Sequence, residues 1–287
     1  MNTLKSLGSI ALLSSMIAMP ILAEENTQPV LEKQTNLSAS DVAKELANPN
    51  TTLGTLNFNF DYISYDGDLP GANGTNSKTM SFQPVLPYPV GDGVNLFVRP
   101  NIPIIFDRPV PSKNFEGSGF ELGDIGFDAA LGKTFPGGLI LVGGIVGTLP
   151  TASSDDVGLD QWLLGPEFAI AKIFDWGLLG LLVTHQWDVA GDDDFDTSIT
   201  GGQYFYTINL EDGWQIQGSP TWSYNHEADS DNRLTLPVTA GLSKTTIFGS
   251  TPWKFSLQYS YFVEKPDNFG SDYQVRFTVT PVVPLPW

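Results

Sequence analysis

The chain has 287 residues, with 14 basic against 32 acidic side chains, a formal net charge of -18 and no cysteine. That balance excludes nucleic acid as a partner, because phosphate binding needs basic patches and none is visible. The 29 glycines, 21 prolines and 12% aromatics argue against a helical bundle, and beyond the first residues no run approaches the roughly twenty apolar residues of a transmembrane helix.

The stretch "MNTLKSLGSIALLSSMIAMPILAEENTQ" has one lysine, Lys5, an apolar segment from Ile10 to Leu22 and a cut site after Ala23. The apolar segment is short and charges follow it directly, so residues 1–23 are expected to be a secretory signal peptide rather than an anchor. Export places the chain in a compartment where disulfides form, yet it has no cysteine to form them. Residues 24–50 are a polar leader. Within it "SASDVAKELANPN" predicts a short helix capped by Ser38 or Ser40 and stopped by Asn48-Pro49-Asn50. That helix is expected to lie in the periplasm or tuck into a pore, with a flexible leader as the alternative.

From residue 51 to 287 alternating runs recur roughly every 20 residues. In "LNFNFDYIS", Leu56, Phe58, Phe60 and Tyr62 share one face, and Asn57, Asn59 and Asp61 share the other. About twelve such runs follow one another. In the last, Tyr273, Val275, Phe277, Val279, Pro281, Val283, Leu285 and Trp287 form one apolar phase, long enough for a tilted strand to cross a bilayer. The connections alternate in kind. Tight turns at 89–93, 135–138, 174–177, 210–213 and 248–252 separate long polar loops around 66–77, 107–119, 151–160, 190–197, 226–232 and 264–272. Short turns on one side and long loops on the other predict a transmembrane antiparallel β-barrel of about twelve strands, with the turns periplasmic. Soluble folds fit less well. The lone Trp187-Asp188 pair does not make a propeller, and a sandwich needs far less outward apolar surface. Pro84, Pro100, Pro103, Pro220 and Pro237 fall inside the runs and predict bulges or strand ends.

Charge sorts by side. The long loops with their flanks carry 19 acidic and 5 basic residues, a net -14, so the outer mouth is acidic. It is expected to concentrate cations or to meet lipopolysaccharide through divalent ions. Inside the strands, a charge on the lipid side would cost about 2–4 kcal/mol at the midplane. The phase opposite the lipid stripe is therefore expected to line the lumen: Gln83, Arg99, Asn101, Asp124, Asp128, Glu167, Gln186, Asp188, Gln203, Lys254, Gln258 and Arg276. No cofactor is expected. Asp192, Asp194 and Asp196 in "GDDDFD" have oxygen-rich spacing for calcium but lack the register of a helix-loop-helix calcium loop. His226 opens the acidic loop "HEADSDN" without an identified nucleophile beside it, and His185 falls on the lipid phase. A non-enzymatic barrel is therefore expected over a rim hydrolase.

Several stretches together, "DLPGANG", "FQPVLPYPVGDG", "LGDIGFD", "LPTA", "WLLGPE", "HQWDVAG", "QYFY" and "PDNFG", resemble bacterial outer-membrane proteins often mislabelled neuromedin U or transporter. These look related to the outer-membrane protein of the phenol-degradation meta pathway. The resemblance covers roughly Ser38 to Trp287 and implies a barrel that takes up small, including aromatic, compounds. A terminal aromatic on the lipid phase, here Trp287, resembles the signal read by the barrel-assembly machinery. The whole reading is an exported porin-like barrel of a Gram-negative outer membrane. It is surrounded by lipid and lipopolysaccharide and passes small solutes. A closed barrel acting through its acidic loops is the alternative.

Overall fold

The computed structural model describes residues 38–192 and 194–287. The expected signal peptide and the first part of the leader lie outside the described residues. The chain forms one closed antiparallel barrel of twelve strands preceded by a short helix.

The strands are β1 (Gly54–Asp66), β2 (Thr75–Val85), β3 (Val94–Asp107), β4 (Ile125–Thr134), β5 (Leu139–Leu149) and β6 (Gln161–Phe174). They continue as β7 (Gly177–Gly191), β8 (Ser198–Asn209), β9 in two pieces (Trp214–Gly218 and Thr221–Asn225), β10 (Leu234–Phe248), β11 (Thr251–Glu264) and β12 (Gly270–Val283). Each pairs with its neighbours in sequence, and β12 closes on β1 from Gly54↔Val283 to Asp66↔Gly270. Closure leaves no open sheet edge, so every strand's backbone polar groups have a neighbouring strand to meet inside a bilayer. No described helix is long and apolar enough to cross a membrane.

Period two decides which way each side chain points. On β6, Phe168 is 52% exposed and Ala169 is 3% exposed, and the alternation holds along the strand. Val98, Leu131, Ile145, Leu181, Leu242, Leu257 and Tyr261 also stand outward, and together they form the apolar belt of a transmembrane barrel. Tight turns join the strands at one end. In the turn after β4, Gly137 and Gly138 sit at φ 83° and 82°, a conformation in which an L side chain is strained.

The prolines mark where the wall is irregular. Pro220 falls in the break between the two pieces of β9, and Pro237 sits at a register shift between β10 and β11. The β2–β3 ladder stops at Phe82↔Ile102, two residues before its register would set Pro84 against Pro100. The β3–β4 ladder stops at Asn101↔Gly126, two residues short of Pro103. The missing N–H thus coincides with a strand break at Pro220, a register shift at Pro237 and, for Pro84, Pro100 and Pro103, a ladder that stops short on one side only.

Helix α1 (Ala39–Ala47) begins at Ser38, whose hydroxyl accepts from the Asp41 N–H at 3.1 Å. It does not stand free below the barrel. Ser40 Oγ accepts from the Gly213 N–H at 3.0 Å, and Gln215 Nε2 donates to the Ala43 carbonyl at 3.0 Å. Val42 packs with Leu53 and Val282. Past the helix, the Asn50 side chain lies 3.0 Å from Thr134 Oγ1 and 3.1 Å from the Asn95 amide. These partners lie near the tight-turn end, so residues 38–53 occupy the mouth that the turns surround.

Candidate functional site

The lumen holds a cavity of about 340 Å³. Leu46, Ala47, Asn48, Pro49 and Thr51 contribute to its lining alongside the barrel wall. Among the residues expected in the lumen, Gln83, Arg99, Gln203, Lys254, Gln258 and Arg276 line it.

Two ion-paired clusters brace the interior. Arg99 Nε donates to Asp128 Oδ2 at 2.7 Å, and Arg99 Nη2 donates to Glu167 Oε1 at 3.1 Å. The Glu167 side chain is 2% exposed, so its charge depends on that guanidinium. Asp128 and Glu167 are turned onto Arg99 and do not reach the cavity surface. Three strands along the wall from Arg99, Arg276 grips Asp61 with a two-pronged contact, Nε to Oδ1 at 2.7 Å and Nη2 to Oδ2 at 3.0 Å. Gln274 Nε2 also donates to Asp61 Oδ1, at 2.7 Å.

Hydroxyl and amide rungs continue this seam down the β1–β12 junction. Thr278 donates to Asn59 Oδ1 and Thr280 to Asn57 Oδ1, both at 2.8 Å. Asp61, Asn57 and Asn59 were absent from the expected lining, although they share the polar phase of "LNFNFDYIS". Their inward phase was the available signal. The 215-residue separation of Asp61 from Arg276 hid the pairing.

The remaining expected residues lie elsewhere. Asp124 sits just before β4, where its carboxylate accepts from the amides of Thr151, Ala152 and Leu159 at 2.8–3.0 Å. It staples two outer loops rather than lining the cavity. Asp188 accepts from the Thr197 N–H at 2.6 Å, and Gln186 Oε1 accepts from Thr148 Oγ1 at 3.1 Å. Asn101 shares the phase of Arg99 but lies outside the cavity lining. Asp192 is engaged in its own turn, accepting from the Asp194 N–H at 3.0 Å. Among the described residues no three His, Cys, Asp or Glu side chains converge as a metal site, so Asp192, Asp194 and Asp196 do not meet.

The outer loops are fastened to one another. Lys265 Nζ binds Asp66 Oδ1 at 2.6 Å and Asp272 Oδ1 at 3.0 Å, and Lys113 pairs with Asp156. Burial works against the Lys265 ammonium, but hydrogen bonds to Asp66 and Asp272 carry its pKa above the ordinary lysine value. Phe269 stacks on Tyr65 with ring centres 4.8 Å apart and meets the tilted Phe115 ring at 4.9 Å.

The two histidines meet. Thr200 Oγ1 lies 2.7 Å from His185 Nδ1 and 2.8 Å from His226 Nε2, and the His185 ring leans on Trp187 at 4.0 Å. A hydroxyl does therefore stand beside His226, contrary to the sequence reading. It is shared between two imidazoles on the outward phase, away from the lumen.

A scan against protein-family models finds no match, and no curated protein matches. Among solved structures, the chain is similar to the COG4313 outer membrane channel from Pseudomonas putida F1. The TM-score is 0.61 at 15% identity, over 81% of this chain and 96% of that one. It is also similar to the NanC porin, with a TM-score of 0.50 at 7% identity over 80% of this chain and all of that one. These likenesses establish that the chain has the twelve-stranded fold of outer-membrane barrels.

Proposed function

We propose that this chain is an outer-membrane channel of a Gram-negative bacterium for passive or weakly selective passage of small solutes. One observation carries the reading: a closed transmembrane barrel encloses a cavity lined at membrane depth by charged and polar side chains that lipid would not tolerate. Twelve strands fall between the eight of barrels filled by their own side chains and the sixteen or more of open porins, which suits a narrow path. The similarity to outer-membrane channels supports it, as does the resemblance to barrels linked to uptake of small aromatic compounds. The lipid-phase aromatic Trp287, whose indole donates to the Pro87 carbonyl at 2.9 Å, fits engagement by the barrel-assembly machinery.

A specific observation favours a second reading. Helix α1 sits in the tight-turn mouth, which suits a closed barrel acting through its acidic loops. Swelling of liposomes containing the refolded protein, with neutral solutes of graded size, separates the two. Swelling that falls off steeply with solute size supports the channel. Folded protein that admits none of them supports the closed barrel.

A further inference from the structure

Three cations face the cavity: Arg99, Arg276 and Lys254. Arg99 is held by Asp128 and Glu167, and Arg276 by Asp61. Lys254 has no carboxylate within 4.0 Å among the described residues. Its partners across the ladder are the neutral Thr245 and Thr280. The buried Thr245 hydroxyl has no hydrogen-bond partner either. An ammonium inside a narrow lumen gains from an anion beside it. The described wall supplies none, which leaves the place beside Nζ open to a solute anion.

The cavity is also two-sided. Next to Lys254 it presents Ser256 and Thr278, while Val142, Leu182 and Phe205 face it from other strands. From this juxtaposition we infer that Lys254 forms the charged end of a subsite for small amphipathic carboxylates. The carboxylate sits on Nζ and the hydrocarbon part lies toward Leu182 and Phe205. A cavity of about 340 Å³ is at the lower end of the range for small-molecule pockets and suits a single ring or a short chain. The inference rests on reading the cavity as a solute path and adds the class of solute. The acidic outer loops stand at the opposite mouth, and their field fades over a Debye length of about 8 Å at physiological ionic strength, so it bears on entry of anions rather than on occupancy of the subsite.

The test is calorimetric titration of benzoate into the full refolded chain in detergent, with benzyl alcohol as the neutral counterpart and planar-bilayer conductance alongside. Wild type is expected to prefer benzoate to benzyl alcohol. Lys254→Gln should weaken benzoate at least tenfold and leave benzyl alcohol unchanged, while Lys254→Arg retains the preference. Folded wild type that binds no benzoate, or Lys254→Gln with wild-type affinity, overturns the inference. So does Lys254→Gln that changes only conductance, which would assign the lysine to seating α1. Should Lys254→Gln fail to fold, the wild-type preference for benzoate over the alcohol, kept in Lys254→Arg, still decides. Benzoate binding without conductance removes the channel reading and leaves the subsite; conductance without benzoate binding does the reverse.

Discussion

The two walls of the lumen are built on different principles. Along the β1–β12 seam the inward side chains are polar and bonded in rungs: Thr280 to Asn57, Thr278 to Asn59 and Arg276 to Asp61. On β4 to β7 the turn-side half of the inward face is apolar, where Ala130, Ile140, Val142, Ala169, Ala171 and Leu178 form a buried cluster with Leu182 and, from β8, Phe205 against it. The seam is specified by hydrogen bonds, and the far wall by close packing. Arg99 with its two carboxylates sets buried charge against that apolar side.

The sharpest way to break that contrast is at Arg99. Arg99→Ala strands Asp128 and Glu167 without their cation and is expected to cost about 3–5 kcal/mol, read as a lower urea midpoint of the refolded barrel. Replacing all three by apolar residues should recover most of the loss. Next, Leu178→Ala on the packed wall is expected to cost about 2–5 kcal/mol. Thr278→Val on the seam removes one rung and should cost about 1–3 kcal/mol, since it leaves Asn59 Oδ1 without that donor. Equal losses at the two sites would erase the distinction between the walls.

Smaller effects test the two mouths. Ser38→Ala should loosen α1 by about 1 kcal/mol, seen as faster proteolysis between residues 38 and 53 with the barrel intact. The Ser38 hydroxyl also holds the Asp41 carboxyl below its ordinary value, so that support is present above the usual aspartate range and is lost as pH falls through the lowered value. At the other mouth, the Lys265 pKa is raised. Its clasp on Asp66 and Asp272 is therefore fully present below the ordinary lysine value and is lost only as pH rises beyond it. Salt should weaken that clasp, because the pair is partly exposed. Protection of loop amides across an alkaline titration reads it directly.

The barrel itself was legible from period two and from the alternation of short and long connections, because both follow from a closed sheet crossing a bilayer. The inward charges Arg99, Asp128, Glu167 and Arg276 were legible for the same reason: lipid excludes them from the other phase. The apolar far wall was not. In "GLILVGGIVGTL" both faces are apolar, so alternation vanishes where a strand meets lipid outside and packing inside. Asp124 was misplaced because a carboxylate next to a strand reads the same whether it enters the lumen or binds loop amides. The seating of α1 and the meeting of His185 with His226 at Thr200 depend on long-range placement that no local pattern carries.

The central claim is that the polar seam and the cavity beside it form a path that α1 narrows. Single-channel conductance in a planar bilayer under a salt gradient tests it most directly, on the folded wild type and on a variant lacking residues 24–53. The account predicts small, steady steps from the wild type and larger ones once α1 is gone. No steps from either folded barrel would contradict it.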